Sequence, residues 1–169
     1  MFDVIKKLLF SRQLDFEEGK ITLLKQPVVL SPLYIHVETL KALRKKYGNV
    51  ADKIFYTASK KTGIKYIDLL KKRYKMSKIE MIRWATNSIT LSGWGIVKII
   101  SYDFSKFTTR IRVKNSVFAE MYGKSKTSTD MILQGYFAGG ASSVFEKNVD
   151  CKEIKCISKG DPFCEFFIK

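Results

Sequence analysis

The sequence predicts an α+β fold in which an antiparallel sheet packs against a layer of helices. Apolar residues recur at helical spacing through the first half of the chain, whereas segments after residue 93 alternate apolar and polar residues as half-buried strands do. Strands and helices do not alternate in the order that builds a parallel sheet. The 169 residues fit one domain, which we expect to span residues 1–169.

The N-terminal region predicts a hairpin. EEGK at 17–20 has the composition of a turn and leads into the β-rich run ITLLKQPVVL. Pro27 and Pro32 argue against a helix at the end of that run.

Four helices follow. The first ends at a capping glycine, and Asn49 would cap the second. The fourth is preceded by SKIE, which begins at Ser77 and has the capping-box pattern. Their expected ranges are 34–48, 49–63, 66–74 and 77–92.

The second half predicts strands, one late helix and a closing hairpin. WGIVKIISYDF and KFTTRIRVKNSVF are rich in β-branched and aromatic residues and would pair antiparallel. MILQGYFAGGASSVFE predicts a glycine-rich helix with Ser128 or Asp130 as its N-cap. VDCKEIKCIS and PFCEFFI predict a hairpin around KGDP.

The glycines of the late helix need a reason. Gly135, Gly139 and Gly140 each cost about 1 kcal/mol in helix propensity relative to alanine. Close packing against another backbone would explain them, and so would a cavity for a ligand. They match no phosphate-binding glycine motif.

The chain is strongly basic, with 31 Lys and Arg against 16 Asp and Glu and a formal charge of +15. Such a field attracts nucleic acid, anionic lipid or acidic proteins, but a lysine-rich solvated surface is the favoured explanation. Because the cations are spread along the chain, nucleic-acid binding is a second hypothesis and is not favoured. The residues that motivate it are Lys71, Lys72, Arg73, Lys75 and Lys78.

No apolar run is long enough to span a membrane, and the opening MFDVIKKLLFSRQLDFEEG is too short and too charged. It also lacks a small-residue cleavage site, so we expect a cytoplasmic protein. The odd number of cysteines argues for reduced thiols rather than disulfides.

All three cysteines lie in CKEIKCISKGDPFC, residues 151–164. The spacing C-x4-C-x7-C allows a metal site, with Glu153 and Asp161 near enough to contribute, but it is not a zinc-ribbon pattern. Small buried thiols would also explain it, and a redox pair is disfavoured because there is no C-x-x-C. In a regular strand Cys151 and Glu153 share one face and Cys156 points to the other, so joint metal binding needs a bulge or a strand end.

The segment GYFAGGASSVF, followed by E-x2-C-x3-G-x3-C (Glu153, Cys156, Gly160 and Cys164), resembles the 4-vinyl reductase domain family. That family includes sensor domains of phenol- and xylene-responsive transcription activators, and it shares its fold with small subunits of the TRAPP tethering complex. KITLLKQPVVLSPLYIHVETLKAL is similar to the family's N-terminal hairpin and first helix, so the resemblance covers the whole chain.

The resemblance implies a structural zinc ion held by a cysteine, a glutamate and two cysteines spaced eight apart. Glu153, Cys156 and Cys164 match the last three positions, and Asp130 stands where the family has the first cysteine. Two carboxylates and two thiolates would then hold the zinc; alternatively Cys151 substitutes for Asp130, or no metal binds.

The resemblance also implies a binding module for a small hydrophobic, aromatic or acyl ligand, acting as a sensor or scaffold subunit, as a homodimer and with a protein partner. We expect no catalysis, since neither a redox-cofactor fingerprint nor a catalytic histidine pairing is visible. The expected pocket residues are Trp84, Trp94, Phe118, Gly135, Tyr136, Phe137 and Gly139.

Overall fold

The structure is a computed structural model that describes residues 14–23 and 26–169. The sequence-based prediction for the opening MFDVIKKLLFSRQ lies outside the described residues. The chain divides into two compact units, Met1–Ile35 and His36–Lys169. The expectation of one domain over 1–169 stays a prediction.

In the first unit, three antiparallel strands pair in the order β1-β2-β3. They are β1 (Leu14–Glu17), β2 (Lys20–Leu23) and β3 (Gln26–Val28). Glu17 pairs with Lys20 across the turn at Gly19, whose φ is +70°, so the predicted hairpin is confirmed. Pro27 lies on the edge strand β3, where proline is tolerated.

The remaining elements form a helical layer and a second sheet. The helices are α1 (Leu33–Tyr47), α2 (Asn49–Arg73), α3 (Lys78–Leu91), α4 (Val117–Tyr122) and α5 (Met131–Phe145). The strands are β4 (Ile96–Asp103), β5 (Thr108–Lys114), β6 (Cys151–Lys155) and β7 (Cys164–Ile168), with a 3-10 turn at Ile157–Lys159.

The second sheet is antiparallel throughout and has the order β4-β5-β7-β6, which confirms the α+β class. On β5, Thr109, Ile111 and Val113 are buried while Arg110 and Lys114 are exposed, as the alternation predicted. Helices α3 and α5 contact this sheet, and α2 packs along α5. The buried face of the sheet therefore looks towards the helices.

Residues 49–73 form one 25-residue helix, so the prediction of two helices separated at Gly63 was wrong. Gly63 is buried inside α2, where a Cβ would collide with the Tyr136 carbonyl oxygen of α5. The glycine is there for close packing and not as a helix end. Along the described residues, no helix has both the length and the apolarity needed to cross a bilayer.

The α2–α5 contact uses glycines from both helices. A Cβ at Gly135 would meet the carbonyl oxygen of Tyr56, and one at Gly139 would meet that of Lys60. With Gly63 opposing from α2, the two backbones approach more closely than larger side chains would allow. This is the packing explanation for the glycines of the late helix.

Two further local predictions are settled by the structure. The capping box before α3 is confirmed: Ser77 N–H donates to Glu80 Oε2 at 2.8 Å, and Glu80 N–H donates back to Ser77 Oγ. The strand expected to run through NSVF is wrong, because β5 ends at Lys114 and α4 follows. Asn115 has a φ of +52°, which ends the extended backbone.

We expect Gly139→Ala to lower the free energy of unfolding by about 2 kcal/mol or more, because the added methyl group forces α2 and α5 apart. Gly140→Ala is the matched control: its Cβ would meet only Ile67 Cγ1, at 3.6 Å, and alanine favours the helix. Urea unfolding followed by circular dichroism measures both. Equal stabilities of the two variants would contradict the close-packing interpretation.

Candidate functional site

A cluster of buried carboxyl and thiol groups lies where α5, β6 and β7 come together. The ligand atoms of Glu153, Cys156 and Cys164 lie within 4.8 Å of one another, and all three residues are buried. Asp130, the residue preceding α5, lies beside this group: its backbone N–H donates to Glu153 Oε2, and Cys164 influences the pKa of its carboxyl group. Three of the four predicted metal ligands thus form a compact group, and Asp130 contacts it without being a member.

A β-bulge gives this group its geometry. Glu153 pairs with Phe166 and Lys155 with Glu165, so β6 advances by two residues where β7 advances by one. Ile154 is the extra residue and is exposed. The bulge lets Glu153 and Cys156 point to the same side, which a regular strand forbids.

Two carboxylate oxygens in the cluster lack a hydrogen-bond partner among the residues that the structure describes: Asp130 Oδ1 and Glu153 Oε1. The second oxygen of each carboxyl group is paired. Asp130 Oδ2 accepts from Ser116 Oγ, and Glu153 Oε2 accepts from the Asp130 amide at 3.3 Å. Burial raises the pKa of Asp130 to about 7 and, together with the nearby Asp130 charge, raises that of Glu153 to about 9.

The thiols of Cys156 and Cys164 interact with each other and with nearby backbone and hydroxyl groups. The hydrogen bond between the two thiols lowers the pKa of Cys156 to about 4 and raises that of Cys164. The backbone N–H of Ile157 donates to Cys164 Sγ at 3.4 Å, and Thr129 Oγ1 lies 3.6 Å from Cys156 Sγ. Donors aimed at sulfur stabilise a thiolate, the form that binds metals.

Cys151 is buried but lies outside the group. It pairs with Ile168 at the far end of the β6–β7 ladder, and its backbone N–H donates to the Tyr56 hydroxyl at 3.2 Å. Burial raises the pKa of its thiol. Asp161, the other acidic residue near the cysteines, accepts from the Cys156 amide at 2.8 Å and thereby fixes the loop.

An apolar cavity of about 30 Å³ lies between the helices and the inner face of the sheet. Side chains from α2, α3, α5, β5 and β7 line it. The lining residues are Ile67, Ile82, Ala85, Thr86, Ile89, Thr109, Ile111, Tyr136, Phe137, Gly140, Ala141, Val144 and Ile168.

One threonine in this lining has an unpaired hydroxyl. Thr109 is 2% exposed, and its Oγ1 has no hydrogen-bond partner within the described part of the chain. The other threonine, Thr86, donates within α3 to the carbonyls of Ile82 and Arg83, both at 3.0 Å. Thr109 therefore presents a hydroxyl without a partner among the described residues, in a mainly apolar lining that also contains Thr86 and Tyr136.

The predicted pocket residues divide into two groups. Tyr136 and Phe137 line the cavity, whereas Gly135 and Gly139 face α2. The aromatic residues Trp84, Trp94 and Phe118 do not line it: the Trp84 indole N–H donates to the Tyr66 hydroxyl at 3.1 Å, and the Trp94 ring stacks on Phe118 at 6.3 Å. Which of these residues contact a ligand stays a prediction.

Sequence reasoning missed Thr109 and Ser116. Thr109 falls on the buried side of the β5 alternation, so a polar residue at an inward position was the available signal. No sequence signal pairs Ser116 with Asp130, because the two residues meet only through the fold.

We expect Thr109→Val to raise the free energy of unfolding by about 1 kcal/mol, since a methyl group replaces a buried hydroxyl that has no partner among the described residues. Thr86→Val is the matched control in the same cavity; it loses a hydrogen bond and should gain nothing. Chemical denaturation of both variants tests the difference. Destabilisation by Thr109→Val would mean that its hydroxyl is satisfied after all.

Residues 109–169 match the V4R domain family. No curated protein sequence matches the chain. The phenol-responsive sensory domain of the transcription activator PoxR, crystallised with phenol, is 22% identical with a TM-score of 0.84, covering 100% of this chain and 89% of that one.

Two other solved structures share the fold with a TM-score of 0.56. A vinyl-4-reductase family protein from Methanocaldococcus jannaschii is 17% identical, covering 84% of this chain and 83% of that one. Trafficking protein particle complex subunit 3 from Naegleria fowleri, covalently bound to palmitic acid, is 16% identical, covering 80% of this chain and 92% of that one. The resemblance seen in the sequence is therefore confirmed, by the V4R family match over residues 109–169 and by the shared fold.

Proposed function

We propose that the chain is a small-molecule-binding module whose ligand enters the apolar cavity and accepts or donates a hydrogen bond at Thr109. The observation that carries this function is the free Thr109 hydroxyl in an apolar lining. A buried hydroxyl without a partner costs about 1–3 kcal/mol, and a ligand can supply the missing partner. The chemistry selects a mainly apolar ligand with one polar group.

The cavity must widen to admit such a ligand, because about 30 Å³ accommodates little more than water. Helices α2 and α5 are in close backbone contact at their glycines, so separating them would cost packing free energy. Helix α3 lines the cavity with Ile82 and Ile89 among others, and it is joined to α2 by side-chain hydrogen bonds at Tyr66 rather than by backbone contacts at glycines. We infer that α3 moves outward on binding.

The structural neighbours support this ligand class. The PoxR sensory domain was crystallised with phenol, and the trafficking subunit is covalently bound to palmitic acid. Each ligand has an apolar body and one polar end. Binding rather than catalysis, the homodimer and the protein partner expected from the sequence remain part of the proposal.

Phenol and toluene, which differ by a hydroxyl in place of a methyl group, test the role of Thr109. We expect the ratio of phenol affinity to toluene affinity to fall about fivefold or more from wild type to Thr109→Val, the worth of one hydrogen bond. Thr86→Val should keep the wild-type ratio. Isothermal titration calorimetry measures the affinities.

Two results would contradict this function. The same ratio of phenol affinity to toluene affinity in wild type and Thr109→Val would remove Thr109 from recognition. Failure of either probe to bind, with longer-chain alcohols and acids also inactive, would remove the cavity as a ligand site.

We propose further that Glu153, Cys156 and Cys164 bind a structural zinc ion, with Asp130 as the fourth ligand. Zinc takes thiolate sulfur at about 2.3 Å and carboxylate oxygen at about 2.0–2.2 Å, so its tetrahedral ligands lie roughly 3.3–3.8 Å apart. The three-residue group is nearly that compact. The free Asp130 Oδ1 and Glu153 Oε1 are two buried oxygens that a cation would satisfy.

Four protein ligands would close the coordination shell and leave no position for a substrate, so this zinc would be structural. It would fasten the β6–β7 hairpin to the start of α5. Because burial raises the pKa of both carboxyl groups, zinc would compete with protons for them and its binding should weaken as the pH falls.

Metal content of purified protein, measured by plasma mass spectrometry, tests the site. We expect one zinc per chain, lost in Cys156→Ser and Cys164→Ser and retained in the control Cys151→Ser, which removes a buried thiol outside the group. Asp130→Asn should weaken zinc retention against a chelator, and Asp130→Cys should strengthen it.

Absence of metal from wild type, together with three free thiols and no zinc uptake on refolding, would contradict the proposal. Loss of zinc in Cys151→Ser with retention in Asp130→Asn would instead assign the fourth position to Cys151.

A further inference from the structure

The outward face of the second sheet is basic and interleaved with aromatic rings. Alternate residues of β4–β7 point away from the helices, and the cation-bearing ones adjoin in register: Lys98 beside Arg112, Arg110 beside Phe167, and Phe167 beside Lys152. We call these positions the basic sheet face. Its members are Lys98, Arg110, Arg112, Lys114, Lys152, Lys155, Phe163, Glu165 and Phe167.

Positive charge dominates this face. Among the outward positions of the described sheet, Glu165 is the acidic residue within the face, and Asp103 lies at its edge beside Lys106. Glu165 is already neutralised, because it pairs with Arg110 at 3.3 Å and with Arg112 at 2.8 Å. The lysines that the structure describes on this face therefore have no acidic partner within it.

The two arginines lie on aromatic rings. The Arg112 guanidinium is 3.9 Å from the centroid of Phe163, and that of Arg110 is 5.7 Å from the centroid of Phe167. Ion pairs with the buried Glu165 carboxylate fix both guanidinium groups from below. Their planes are thus preorganised, and flat groups can stack on them.

We propose that the basic sheet face binds single-stranded nucleic acid, with phosphates paired to the lysines and bases stacked on the arginine planes that Phe163 and Phe167 support from below. Stacking planes interleaved with cations suit exposed bases and a charged backbone. A duplex keeps its bases inside and would gain nothing from the rings. A membrane-inserting ring would protrude, whereas Phe163 and Phe167 lie half-buried beneath cations, and the exposed Ile96 and Ile154 lie apart on the two edge strands.

Fluorescence anisotropy with a labelled mixed-sequence 12-mer of single-stranded DNA, titrated between about 50 and 300 mM salt, tests this surface. The variant Lys98→Gln/Lys152→Gln/Lys155→Gln should reduce the slope of log K against log salt by about 2, since each phosphate contact contributes about 0.7. Affinity at low salt should fall at least tenfold.

The matched control is Lys72→Gln/Lys75→Gln/Lys78→Gln, which removes the same charge at the end of α2 and the start of α3 and should change the slope by less than about 1. Phe167→Leu tests stacking: it should weaken binding about fivefold or more with the slope unchanged.

Several results would overturn the proposal. These are no binding at about 50 mM salt, equal losses in the two triple variants, or no effect of Phe167→Leu together with equal binding of duplex DNA. Binding to phosphatidylserine vesicles without binding to the 12-mer would make the face a membrane surface instead.

Discussion

The backbone contact between α2 and α5 is the constraint on which the rest of the second unit depends. Gly63 meets the Tyr136 carbonyl, and Gly135 and Gly139 meet carbonyls of α2, so any side chain at these positions would push the helices apart. Because α5 contacts both α2 and the sheet, its packing against α2 determines how far α2 lies from the sheet. The cavity lies between β5, β7 and the face of α5 that carries Ala141.

Helix α5 and strand β7 each connect the two candidate sites. Asp130 precedes α5 at the carboxyl–thiol cluster, and Tyr136 lies further along the same helix at the cavity. Cys164 begins β7 at the cluster, and Ile168 ends it at the cavity, about 13 Å away for four residues of strand. A metal that ties the hairpin to α5 would therefore stiffen two walls of the cavity, whereas α3 belongs to neither connection and is held to α2 by the side-chain hydrogen bonds of Tyr66.

Local patterns predicted the elements well, and long-range contacts explain the failures. The β5 alternation and the Ser77 capping box depend on neighbouring residues, and both are confirmed. The sequence predicts a helix end at Gly63 because glycine has that meaning locally, whereas its actual reason is a carbonyl from α5. The cluster followed from cysteine spacing and family resemblance, but the bulge at Ile154 that assembles it has no sequence signature. The unpaired state of Thr109 could be seen only once the cavity walls were in place.

Buried polar side-chain atoms without partners are the most informative feature of this molecule. Native proteins satisfy nearly all such atoms, because each one left unpaired costs about 1–3 kcal/mol. In the part of the chain that the structure describes, three remain, on Thr109, Asp130 and Glu153. The Thr109 hydroxyl lies in an apolar cavity, where a ligand with a hydrogen-bonding group would satisfy it. The oxygens of Asp130 and Glu153 lie beside thiols, where a cation would satisfy them. The free-energy cost of unpaired polar atoms is thus concentrated at the apolar cavity and at the carboxyl–thiol cluster. The cavity lacks a hydrogen-bonding partner, and the cluster lacks a cation.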